Sequence, residues 1–156
     1  MDRQKALSRA ATLCSRSEQC ESDVRAKLAT WLDLPEQADE IIAHLKREGF
    51  INEQRYANAY VHDKFLYNGW GRLKLRAMLR GKGIADDAIA QAMEQICDDD
   101  YHDMLIRLLQ GKWRYVKSRE RQLARAAMLR FAASRGFEAD LSYRCTDEVM
   151  NNNGED

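Results

Sequence analysis

The chain has 156 residues, with 25 Lys+Arg against 25 Asp+Glu, so it suits one ordinary domain or a few small repeats and its zero net charge favours no polyanion partner. Apolar residues at 45% and charged residues at 32% exclude a disordered chain, and one proline with eight glycines supplies too few turn signals for a sandwich or barrel. No apolar run approaches a membrane span and the mixed-charge start Met1-Asp2-Arg3 has no secretory pattern, so a soluble, cytoplasmic, mostly helical protein is expected, away from membranes.

Apolar residues at helical spacing predict helices in chain order. Residues 3–16 carry Ala6, Leu7, Ala10, Leu13 and Cys14, and residues 22–32 carry Val24, Leu28, Trp31 and Leu32. Pro35 suits the first turn of a helix over 36–48, with Ile41, Ile42 and Leu45 on its stripe. Helices follow over 53–67 (Tyr56, Ala59, Tyr60, Val61, Leu66), 72–82 (Leu75, Met78, Leu79) and 86–97 (Ile89, Met93, Ile96). The last three are predicted over 101–117 (Leu105, Leu108, Leu109, Trp113, Val116), 120–135 (Leu123, Ala127, Phe131) and 140–149 (Leu141, Cys145, Val149).

A repeated exit separates these helices. Glu48-Gly49-Phe50, Lys82-Gly83-Ile84 and Arg135-Gly136-Phe137 each give a charged residue, a glycine able to close a helix in the left-handed conformation, and an apolar residue that packs back on the last turn. Asn52, Asp86 and Asp140 follow as cap-region residues. Aligning Gly83 with Gly136 matches core positions 75 with 128, 78 with 131 and 79 with 132. The reading is an all-α chain of three tandem three-helix repeats, at 1–51, 52–97 and 98–149, forming a curved, elongated solenoid-like array, with 150–156 a disordered tail. No heptad seam is present, which favours a monomer.

Chemistry-bearing motifs are scarce. Cys14, Cys20, Cys97 and Cys145 have no zinc-ligand spacing and read as small buried thiols in a reducing compartment. No phosphate loop, nucleophile elbow or metalloprotease helix occurs, so neither catalysis, metal nor cofactor is expected. Asp98-Asp99-Asp100 points in three directions on a helix and suits the positive end of the following macrodipole better than a metal. Charge is segregated: 62–82 holds six bases and one acid, 101–136 nine bases and two acids, and 83–100 six acids and no base. Such a surface can orient a charged partner although the total charge vanishes. Arg72, Arg76 and Arg80 lie at i, i+4 and i+8 on one stripe, a solvated face paired to the acidic helix after Gly83 or a surface that grips carboxylate or phosphate. Trp70, between Gly69 and Gly71, and Trp113, among basic residues, fit either packing at helix junctions or stacking on single-stranded bases.

The run from Leu45 to Val61, with Gly49-Phe50-Ile51-Asn52 and Glu53-Gln54-Arg55-Tyr56-Ala57, resembles the most characteristic stretch of the RecX regulatory proteins. The basic helix after Gly71, ending Lys82-Gly83-Ile84, and the closing Leu129 to Phe137 extend the resemblance over nearly the whole chain. Departures are Arg72 and Leu75 where the family often carries Pro and Ile, Trp31 to Pro35 in place of a glycine exit, and Ser142 and Cys145 at positions usually bulkier. The resemblance implies a curved array of three-helix repeats that binds the RecA filament on single-stranded DNA and restrains its ATPase and strand exchange. It makes Arg72, Lys74, Arg76, Arg80, Lys82, Arg121, Arg125 and Arg130 candidate filament- or DNA-binding residues, and Trp70 and Trp113 candidate stacking residues. Direct binding of single-stranded nucleic acid is the alternative function.

Overall fold

The computed structural model describes residues 1–153, and every regular element among them is helical. In order these are α1 (Arg3–Arg16), α2 (Glu21–Trp31), a 3-10 turn (Pro35–Gln37), α3 (Ala38–Arg47), α4 (Glu53–Asn68), α5 (Arg72–Gly81), α6 (Asp86–Met93), α7 (Asp98–Val116), α8 (Arg121–Ser134) and α9 (Ala139–Asn153). The all-α expectation therefore holds, and the periodicity located each helix.

The predicted exits form as hydrogen-bonded caps. Phe50 N donates to Leu45 O at 2.8 Å, Ile84 N to Leu79 O at 3.1 Å and Phe137 N to Ala132 O at 3.1 Å, each spanning the glycine and satisfying a terminal carbonyl. Asn52 Oδ1 accepts from Arg55 N at 2.8 Å and caps α4. Glu120 caps α8 by accepting from Gln122 N and Leu123 N. Asp98, Asp99 and Asp100 occupy the first turn of α7.

Several boundaries differ from the sequence reading, among them the start of α7, which is Asp98 and not residue 101. Pro35 opens the 3-10 turn, and α3 starts only at Ala38. Helix α6 stops at Met93 because Ile96 N turns back to Met93 O at 3.1 Å and Ile96 is buried, leaving Cys97 free to cap α7. At the other end, α9 continues to Asn153 through the first residues of the segment expected as a tail, because Val149 and Met150 are buried and Asn151 Oδ1 accepts from Arg121 Nη2 at 2.9 Å. The remaining tail residues lie outside the described residues.

The chain divides into two compact units, Met1–Tyr60 with Met78–Ala92, and Val61–Ala77 with the residues from Met93 onward. In the first, α1, α2 and α3 bury a cluster that includes Ala6, Ala10, Val24, Leu28, Ile41 and Leu45, all completely enclosed. Fully burying each large aliphatic side chain stabilises the fold by about 1.5–3 kcal/mol. In the second, α7, α8 and α9 enclose Leu105, Leu109, Met128, Cys145 and Met150, while Phe65, Tyr101 and Phe137 form an aromatic chain with ring centroids 6.1 and 5.0 Å apart.

Some large residues expected in the core face outward: Leu66, Met78 and Leu123 are 48%, 40% and 62% exposed. On α8 the buried face is instead Ala124, Ala127, Met128 and Ala132. A row of alanines lets neighbouring helices approach closely, so shape complementarity outweighs side-chain size in choosing the inward face. The aligned pairs 75/128 and 79/132 are all completely buried, whereas Met78 is exposed and Phe131 only half-buried. The thiols also differ: Cys14, Cys20 and Cys145 are buried, but Cys97 is exposed and its sulfur accepts from Asp100 N at 3.4 Å.

Candidate functional site

The most distinctive sequence motif turns out to be packing hardware of the first unit. Glu53 Oε1 accepts from Ala85 N at 2.9 Å and Gln54 Nε2 donates to Ala88 O at 3.0 Å, tying α4 to the start and middle of α6. Arg55 pairs with Glu18 at 2.5 Å and donates to Gly49 O at 2.8 Å, fixing the glycine turn that precedes it. Tyr56 and Ala57 are buried, and desolvation holds the Tyr56 hydroxyl well above the ordinary phenol range. Each residue of Glu53-Gln54-Arg55-Tyr56-Ala57 is thereby assigned a contact within the fold.

Lys82 belongs to the same unit. Its ammonium lies 3.0 Å from Asp23 Oδ2, and its carbonyl accepts from Ser22 Oγ at 2.9 Å, so the Lys82-Gly83-Ile84 turn is fastened to the start of α2. The hydrogen bond to Asp23 raises the Lys82 pKa and keeps the charge on. Arg80 pairs with Asp86 at 2.9 Å, which is the pairing across the glycine turn considered from sequence.

The second unit contains a junction that spacing did not reveal. Gly71 N donates to Arg135 O at 2.6 Å and Leu73 N to Gly136 O at 3.0 Å, so the turn between α4 and α5 runs against the turn between α8 and α9. A Cβ at Gly71 would stand 2.4 Å from Gly136 O, and Gly136 has φ +91 with Lys74 Cβ only 2.3 Å from its own missing Cβ. Tyr101, at the start of α7, accepts from Arg72 N at 2.8 Å and donates to Glu138 Oε1 at 2.5 Å. The Arg72 guanidinium sits 4.0 Å over the Tyr101 ring and 2.9 Å from Asp98 Oδ1. Burial, and then the bond to Glu138, raise the Tyr101 pKa far out of the physiological range, so it stays a neutral donor. The Arg72 N–H supplies a bond that a proline at this position could not make.

The other candidate residues separate by their partners. Arg125 is paired with Asp147 at 2.9 Å and lies 5.5 Å from the Tyr143 ring, and Arg121 donates to Asn151. Arg76 and Arg130 make no ion pair among the described residues. Trp70 is half-buried between two ammonium groups, with Lys74 Nζ 4.4 Å and Lys64 Nζ 5.0 Å from its ring. Trp113 is half-buried on α7. The predicted stripe thus splits: Arg72 and Arg80 pair within the fold, while Arg76 makes no ion pair among the described residues.

Comparison with known proteins gives the context for these contacts. The family model described as "RecX, second three-helix domain" matches residues 52–93. A protein named "Regulatory protein RecX" from Chromohalobacter salexigens is 29% identical over 129 residues, covering 83% of this chain and 82% of the relative. One of the same name from Clostridium perfringens strain 13 is 25% identical over 134 residues, covering 85% of this chain but 62% of the relative, so the chain spans about three fifths of that protein's length. The chain is thus similar to proteins named regulatory protein RecX over most of its length. A crystal structure titled as regulatory protein RecX superposes with TM-score 0.83 at 23% identity, covering 93% of this chain and 71% of that one. The RecX structure from Lactobacillus salivarius gives 0.80 at 20% identity, covering 94% and 96%. These two likenesses establish the fold. The stretch matched by the family model comprises α4, α5 and α6 and begins at Asn52.

Proposed function

We propose that this chain regulates the RecA recombinase filament assembled on single-stranded DNA, restraining its ATPase and strand exchange from the cytoplasm as a monomer without cofactor. The observation that carries this reading is the likeness to proteins named regulatory protein RecX over 85% of the chain. We also propose the family's three-helix organisation for the segments before and after the matched 52–93. Cationic groups left without a carboxylate, Arg76 and Arg130, are suited to carboxylate or phosphate on the filament, because guanidinium pairs bidentately with either. Lys82 and Arg72 serve instead as internal braces.

The test is single-stranded-DNA-dependent ATP hydrolysis by the host RecA, titrated with this protein. Inhibition is expected at concentrations that leave bare DNA unshifted, and joint Arg76→Glu and Arg130→Glu substitution should weaken it without lowering thermal stability. Unchanged hydrolysis throughout the titration would overturn the proposal.

Direct binding of single-stranded nucleic acid is the second reading, favoured by Trp70 with Lys64 and Lys74 against its ring. An aromatic face among lysines is the ordinary construction of a stacking platform. It requires tight binding to bare DNA that falls steeply with salt, since each neutralised phosphate releases counterions.

A further inference from the structure

The second unit carries an apolar groove that neither the motif contacts nor the junction uses. It has a volume of about 410 Å³ and lies among the start of α5, α8 and α9, with Leu73, Leu129, Ala133, Phe137 and Tyr143 on its walls and floor. That is the lower part of the size range of small ligand sites, roughly 300–1,000 Å³, and is room for an anchoring side chain, not for a folded element. Phe137 is enclosed at the floor, whereas Leu73 and Tyr143 are each 49% exposed and stand as open walls. Ser142 also lines the groove, but its hydroxyl already donates to Glu138 O at 2.8 Å, so the interior demands nothing polar.

The rim has the opposite character. Arg130 is the one charged side chain lining the groove, is exposed, and makes no ion pair among the described residues. Arg125, close to Tyr143, is already neutralised by Asp147. An unneutralised arginine at the edge of an apolar floor selects a specific chemistry.

We infer that this groove is a docking site for a protein segment that presents a large apolar side chain with carboxylates beside it. The apolar side chain fills the space between Leu73, Phe137 and Tyr143, and a carboxylate beside it meets Arg130. An exposed aliphatic pocket gains from covering apolar surface, and Arg at its edge supplies direction through its fork. Nucleic acid fits less well, because a strand is held by a run of phosphate contacts and Arg130 is the one cation lining the groove. The inference rests on the regulatory reading and states the chemistry by which a partner protein is gripped.

The probe is a fluorescent peptide, Glu-Leu-Phe-Glu-Glu, followed by anisotropy, with Lys-Leu-Phe-Lys-Lys and Glu-Ala-Ala-Glu-Glu as controls. Ala133→Trp fills the groove from an exposed position, and Arg130→Glu reverses its rim. Wild-type protein should bind the acidic apolar peptide and neither control, and each variant should weaken that binding about tenfold or more with unchanged circular dichroism. No binding by the wild type, or equal binding by folded variants, overturns the groove. Displacement of the peptide by an oligonucleotide of equal charge, or a wild-type dimer that Ala133→Trp dissolves, also overturns it, assigning the surface to phosphate or to a second copy. The RecA hydrolysis assay on the same samples separates the two readings. Peptide binding with no effect of wild type on hydrolysis leaves the groove standing and removes the filament reading. Inhibition by wild type and variants alike, without peptide binding, does the reverse.

Discussion

Replacing Gly71 with alanine tests the junction of the second unit most directly. The new Cβ would lie 2.4 Å from Gly136 O, 2.5 Å from its carbonyl carbon and 2.6 Å from Phe137 N. All three are backbone atoms, so no side chain can rotate aside. Relief requires the two turns to part, which lengthens the bonds Gly71 N to Arg135 O and Leu73 N to Gly136 O. Each such bond contributes about 1 kcal/mol net, and overpacking adds about 1–3 kcal/mol. The expected loss is therefore about 3–5 kcal/mol, or a fall in Tm of roughly 6–20 °C for a chain of this size. Gly81→Ala is the internal control, since its Cβ meets nothing within 4 Å at the end of α5. It should be neutral or stabilising by up to about 1 kcal/mol. Thermal and urea denaturation followed by circular dichroism measures both. A Gly71→Ala protein that melts within about 2 °C of wild type would refute the close approach.

The remaining predictions concern single groups. Arg72→Pro removes the N–H to Tyr101 and the Asp98 pair, and should cost about 1–3 kcal/mol; the cost should shrink in a Tyr101→Phe background, and equal costs in both would exclude the coupling. Of the four thiols, Cys97 alone should react with a disulfide reagent in the native protein, and Cys97→Ser should abolish that phase. Burial, with Glu148 nearby, pushes the Cys145 thiol from its ordinary 9.0 up to about 11. Above pH 9 the unfolded chain therefore releases a proton that the folded chain retains, so stability should fall as pH rises from 9 to 11. Cys145→Ala should flatten that part of the stability profile, and an unaltered slope would show that the thiol does not contribute.

Much of this protein is written locally. Helix spacing and the glycine exits are properties of a few neighbouring residues, because capping bonds join atoms at most five residues apart. Hence the helices and the closures at Gly49, Gly83 and Gly136 were legible in the sequence, as was the family resemblance through its Glu53 to Ala57 motif. What that motif does was not legible, since its partners are Glu18, Ala85 and Ala88, which no spacing rule connects to it. The same holds for the arginine stripe. At i, i+4 and i+8 its members look equivalent, yet Asp98 and Tyr101 engage Arg72, Asp86 engages Arg80, and Arg76 keeps its charge unpaired among the described residues. Periodicity also misjudged the inward face of α8, where alanines won over Leu123 because close helix approach depends on the facing surface. The helices and their glycine closures followed from local chemistry, while the free and committed charges, and the groove beside Arg130, were decided by contacts between residues distant in the chain.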